Sequence, residues 1–134
     1  MAEPLPPQLR ALVGELSKQN GVPPNAAQDV QAAIASSPYL ASIMIDAASQ
    51  QTLKHIGVTT EQNEGGHYDK ETGTVFVSID SFTDKTASPQ ARIDNITSTL
   101  GHETGHALTA KARSAEIARL ATLGRKYGAI RCAW

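Results

Sequence analysis

The sequence predicts an α+β fold, mostly helical, with a small antiparallel sheet or hairpin packed over one chemically distinctive helix. Three observations predict it. Apolar residues recur at three- and four-residue spacing through the first third of the chain and again between Ser88 and Lys111. Thr74 to Asp80 instead alternates, with Val75, Val77 and Ile79 on one side. A turn signal at Lys70 to Gly73 precedes that alternation. The 134 residues suggest one domain, helical over 1–50 and built from a hairpin and the distinctive helix over 51–134.

The elements follow in order. Leu9, Leu12, Val13 and Leu16 make one face of a first helix that ends near Asn20-Gly21. Asn25 is placed to cap a second helix running through Val30 to Ile34. Ser37-Pro38 opens a third, whose broad apolar face is Leu40, Ile43, Met44 and Ile45. Leu53 to Thr59 reads as a strand, and Gly65 to Asp69 as the first arm of the hairpin. Ser88-Pro89 supplies an N-cap and a first-turn proline for the next helix. Ile93, Ile96, Leu100 and Ala107 form its apolar stripe. The expectation is that this helix ends near Lys111 or Ala112. Ser114 would then cap a last helix through Ile117, Leu120 and Leu123 to Gly124. Gly101 and Gly105 each cost about 1 kcal/mol inside a helix, and the close approach of another backbone would account for them.

His102-Glu103-Thr104-Gly105-His106 carries the chemistry. Histidines four residues apart lie on one helix face, so both imidazoles can reach one metal ion. They fall opposite the apolar stripe, with Asn95 and Thr99 on their side. Glu103 projects between the two faces and can act on a water without being a ligand. The plain alternative is a solvated helix face that carries two histidines and a glutamate.

The motif, together with Gly66-His67-Tyr68-Asp69 and Thr72-Gly73-Thr74-Val75-Phe76-Val77 ahead of it, resembles the zincin-type metallopeptidases over roughly Gly65 to Leu120. Within them the stretch looks like the small metallopeptidase domains attached to bacterial secreted toxins and interbacterial effectors. The resemblance implies a zincin-like fold, a Zn²⁺ cofactor and peptide-bond hydrolysis by a zinc-activated water. It also implies delivery by a specialised secretion route and a cognate immunity protein. His102 and His106 would bind the metal, and Glu103 would be the catalytic base. A catalytic zinc usually has a third protein ligand. The metzincin pattern would place it at Ala112, which has no donor atom. Glu116 is the only acidic residue after His106 and leads as third ligand. Cys132, His67, Asp69, His55 and Asp46 stay open. Tyr68, His67 and Tyr127 are candidates to contact the developing oxyanion or the substrate.

Composition narrows the partners. A net charge of −1 and no basic block give no reason to expect a nucleic-acid partner. No segment approaches the roughly 20 apolar residues that cross a bilayer, so no membrane partner is expected. Cys132 is the only cysteine, so no disulfide forms within the chain. Met1 to Gln8 lacks the basic start and apolar run of a signal peptide. The expectation is synthesis in the cytoplasm and any export by a route without a cleavable signal. The expected partner is a peptide or protein substrate, including the peptide part of a cell-wall polymer. The alternative to a peptidase is a non-catalytic zinc-binding or interaction module related to peptidases.

Overall fold

The computed structural model describes residues 5–60 and 65–127; from 111 to 127 it describes side chains only at 118–120 and 122. Five helices and three strands follow in the order α1 (Pro7–Leu16), α2 (Ala26–Ser36), α3 (Pro38–Ser49), β1 (His55–Thr59), β2 (Gly66–Asp69), β3 (Thr74–Ser78), α4 (Asp80–Thr83) and α5 (Pro89–Tyr127). The fold is α+β, mostly helical, as expected.

The three N-terminal helices form where their apolar spacing places them, but α1 ends at Leu16, short of the expected Asn20-Gly21. In α1, Leu9, Leu12, Val13 and Leu16 are all buried. The chain then turns through Gly21, whose φ of 80° lies in the left-handed region that favours glycine. The Ser37 hydroxyl accepts a hydrogen bond from the Leu40 N–H at 3.1 Å and caps α3. Asn25 precedes α2 but its side chain does not cap it. Its amide instead donates to the Asp29 carboxylate at 2.7 Å and to the Phe82 carbonyl at 3.1 Å, tying α2 to α4.

The sheet corrects one expectation. β2 and β3 form the antiparallel hairpin, but β1 runs parallel to β3 on its other side, so the sheet is mixed, in the order β1-β3-β2. The chain between β1 and β3 includes all of β2 and supplies the crossover that a parallel pair needs. The parallel register sets Ile56 beside Val75 and Val58 beside Val77. Val75 and Val77 then face the helices fully buried. The hairpin turn closes with the Gly73 N–H donating to the Asp69 carbonyl at 2.9 Å, Gly73 having a φ of 69°. Ile79 leaves the strand pattern, because β3 stops at Ser78 and the short helix α4 begins, burying Phe82.

α5 is the central element and packs against α2, α3, β2 and β3. Its start is as expected: the Ser88 hydroxyl accepts from the Ala91 N–H at 3.1 Å. Its length is not. The break expected near Lys111 is absent, and one helix of 39 residues runs from Pro89 to Tyr127. Between Gly105 and Gly124 there is no proline or glycine, and alanine, leucine, lysine and arginine dominate. Ser114 alone costs only a few tenths of a kcal/mol in a helix interior, too little to end one. The core joins Leu9, Leu16, Ile34, Leu40, Met44 and Ile56 to Ile96 and Leu100 of α5, each no more than 1% exposed.

Candidate metal centre

The geometry of α5 follows from its period. Ile96, Leu100, Thr104 and Ala107 are completely buried on one side. His102 and His106 stand exposed on the other, and Glu103 lies between them, 7% exposed. Helical spacing brings the two imidazoles together, with Nε2 of His106 3.2 Å from Nε2 of His102. The rings meet edge to face, with centroids 4.7 Å apart at 89°. Together with a Glu103 carboxylate oxygen, the donor atoms lie within 4.8 Å of one another, close enough to hold one metal ion.

The nitrogen spacing can be tested against a particular ion. Zinc–imidazole bonds of about 2.0–2.1 Å at tetrahedral angles set two ligand nitrogens about 3.3 Å apart. The observed 3.2 Å fits that edge. Imidazole nitrogens and a carboxylate oxygen also suit the borderline-soft character of zinc.

Strand β2 forms the opposite wall. Gly65 and Gly66 line a cavity of about 380 Å³ with Ser98, Thr99, His102 and Glu103. Gly66 permits this approach. A Cβ there would overlap the Phe76 carbonyl oxygen, come within 2.6 Å of the Thr99 methyl and lie 3.6 Å from Cγ of Glu103. Sequence reasoning missed this role for Gly66, although a glycine inside a strand pattern signals close backbone approach. β2 is an edge strand. The Ser78 N–H donates to the Gly65 carbonyl at 3.0 Å. The alternation of an antiparallel ladder therefore turns the peptide groups of Gly66 and Tyr68 away from β3.

The other expected site residues lie elsewhere. His67 is one step from Gly66 along β2, so its ring turns to the other face of the sheet and stacks on Phe76 at 4.5 Å. Tyr68 faces α5, but its hydroxyl donates to the Thr52 carbonyl at 2.5 Å. Burial, and secondarily the negative charge of Asp69, push that phenol above the usual tyrosine range. Asp69 accepts from the Glu71 N–H at 2.9 Å inside the hairpin turn, and His55 pairs with Glu15 at 2.9 Å. Neither these two nor Asp46, on α3, belongs to the metal-ligating group. The reversal of the chain that would return Glu116 to the histidines is replaced by continuous helix. At 1.5 Å per residue the Glu116 backbone lies about 15 Å beyond His106 along the axis, and that of Tyr127 about 30 Å beyond it. The side chains of Glu116 and Tyr127, and all of Cys132, lie outside the described residues. Close backbone approach does not explain Gly101 and Gly105, since a Cβ at either would have nothing within 4 Å.

Comparison with family models, curated proteins and solved structures finds no match to this chain. Among the described residues no helix is long and apolar enough to cross a membrane.

Proposed function

We propose that the protein is a zinc-dependent peptidase of the zincin type, with His102 and His106 as metal ligands and Glu103 as general base. The observation that carries this reading is the pair of Nε2 atoms 3.2 Å apart with the Glu103 carboxylate beside them. When bound there, zinc supplies an activated water and a positive charge for the developing oxyanion. Glu103 accepts the proton of the attacking water on a carboxylate oxygen and passes it to the leaving amine. Glu103 is only 7% exposed and lines the same cavity as Gly66. The open edge of β2 offers the peptide groups of Gly66 and Tyr68 to an extended substrate, which adds to the sheet by backbone hydrogen bonds. The resemblance to effector domains extends the proposal to a bacterial toxin, its substrate a protein or a cell-wall peptide and its natural partner an immunity protein.

A second reading, a non-catalytic zinc module, is favoured by one observation. Among the described residues the cluster draws every donor from a single turn of α5, so Glu103 would serve as third ligand and not as base. Glu103→Gln separates the two. As a base, its loss leaves metal content intact and abolishes peptide hydrolysis. As a ligand, its loss lowers metal content, and the wild-type protein hydrolyses nothing.

A further inference from the structure

α5 carries five threonines: Thr97, Thr99, Thr104, Thr109 and Thr122. A threonine hydroxyl inside a helix commonly bonds to the carbonyl four residues back. Thr97 donates to the Ile93 carbonyl at 2.7 Å, Thr109 to the Gly105 carbonyl at 3.1 Å and Thr122 to the Ala118 carbonyl at 3.0 Å. Thr104 is fully buried in the core, where its hydroxyl has no partner among the described residues. Thr99 differs from all four. Its hydroxyl bonds to no group among the described residues, yet it is not enclosed.

The neighbours of Thr99 set the direction of its side chain. The Thr99 methyl lies against β2, 2.6 Å from the point that a Gly66 Cβ would occupy. The cavity of about 380 Å³ is bounded here by Ser98, Thr99, His102 and Glu103 of α5 and by the backbone of Gly65 and Gly66. No apolar side chain lines it, and the one methyl is taken up by Gly66. An apolar group of a ligand would gain little there, whereas a peptide group finds hydrogen-bonding partners. β2 passes from Thr99, beside Gly66, toward Ala110, which lies near Tyr68. A chain added to the edge of β2 therefore runs along α5.

We infer that Thr99 is a substrate-binding residue whose hydroxyl donates to a backbone carbonyl of the extended peptide. The inference rests on the peptidase reading. Thr99 stands one turn before Glu103, about 6 Å along the helix axis. An extended chain rises about 3.3 Å per residue, so the carbonyl that reaches Thr99 lies about two residues from the bond cut beside Glu103. A hydroxyl with no partner inside the protein gives up only water when the peptide arrives, and no helix hydrogen bond has to break.

The test uses fluorescein-labelled casein as an extended protein chain. Cleavage by the zinc-loaded protein gives KM and kcat, and fluorescence anisotropy gives binding to Glu103→Gln. Both are measured with Thr99 intact and with Thr99→Val, Thr99→Ala and Thr99→Ser. Loss of one neutral hydrogen bond in Thr99→Val and Thr99→Ala should raise KM and weaken binding by about fivefold, with little change in kcat. Thr99→Ser keeps the hydroxyl without the methyl and should bring KM and binding back close to the parent values. Unchanged binding in Thr99→Val and Thr99→Ala, or a Thr99→Ser protein as weak as Thr99→Ala, overturns the assignment. The expected pattern in binding, with no cleavage by the wild type, overturns the peptidase reading and leaves Thr99 as a peptide-binding group. Neither cleavage nor binding overturns both.

Discussion

Gly66→Ala is the most informative structural perturbation of the site. The added methyl would overlap the Phe76 carbonyl oxygen and press within 2.6 Å of the Thr99 methyl. The Thr99 side chain can give a little, but the Phe76 carbonyl belongs to the central strand of the sheet and cannot. Overpacking of this kind costs about 1–3 kcal/mol, and backbone overlap puts this case near the top of that range. Alanine loses less chain entropy than glycine on folding, which offsets about 0.4–1 kcal/mol. A net destabilisation of about 2 kcal/mol is expected. Gly65→Ala is the control, because a Cβ there has nothing within 4 Å. Urea unfolding of both variants, followed by circular dichroism, gives the comparison. With m unchanged, the Gly66→Ala midpoint should fall by about 1 M, taking m near 2 kcal/mol/M. The Gly65→Ala midpoint should stay close to wild type. Both histidines are carried by α5, so the folded Gly66→Ala protein should still bind zinc. Its peptide hydrolysis should drop, because β2 no longer sits against Glu103. Equal midpoints for the two variants would refute the close approach of β2 to α5.

Three further outcomes follow from the same geometry. Gly101→Ala and Gly105→Ala, with open space around both positions, should each raise stability by about 1 kcal/mol in denaturant unfolding while leaving metal content unchanged. Tyr68 has a phenol raised by burial and donating to Thr52, so its contribution is fully present below the ordinary tyrosine value near 10. That contribution is lost as pH climbs through the raised folded value; in a pH series of urea midpoints, wild type should lose its advantage over Tyr68→Phe only at strongly alkaline pH. Glu116→Ala should leave zinc content as it was, since continuous helix carries that position away from His106; loss of metal on elemental analysis would mean that α5 bends back.

Much of this arrangement is legible in the residues themselves. The helical period of Leu9, Leu12, Val13 and Leu16, the hydroxyl caps at Ser37 and Ser88, and the alternation ending in Val77 all act locally, so a linear pattern carries them. The His102, Glu103 and His106 group is legible for the same reason, because a single helical turn assembles it. What escaped notice depends on long-range packing. Nothing in β1 says whether it joins β3 parallel or antiparallel, since a period of two looks the same in either direction. Asn25 reads as a cap, yet its amide finds the Phe82 carbonyl on a distant segment. Ser114 resembles a helix start, and an alanine-rich run overrides it. Gly66 reads only as part of the hairpin's first arm, and its role shows only when β2 lies on α5.

The central claim is tested most directly by elemental analysis of zinc in protein purified without chelator, in wild type, His102→Ala, His106→Ala and Glu103→Gln. The account requires one zinc per chain in wild type, loss in both histidine variants and retention in Glu103→Gln. No zinc in the wild type, and none taken up on addition, would contradict it.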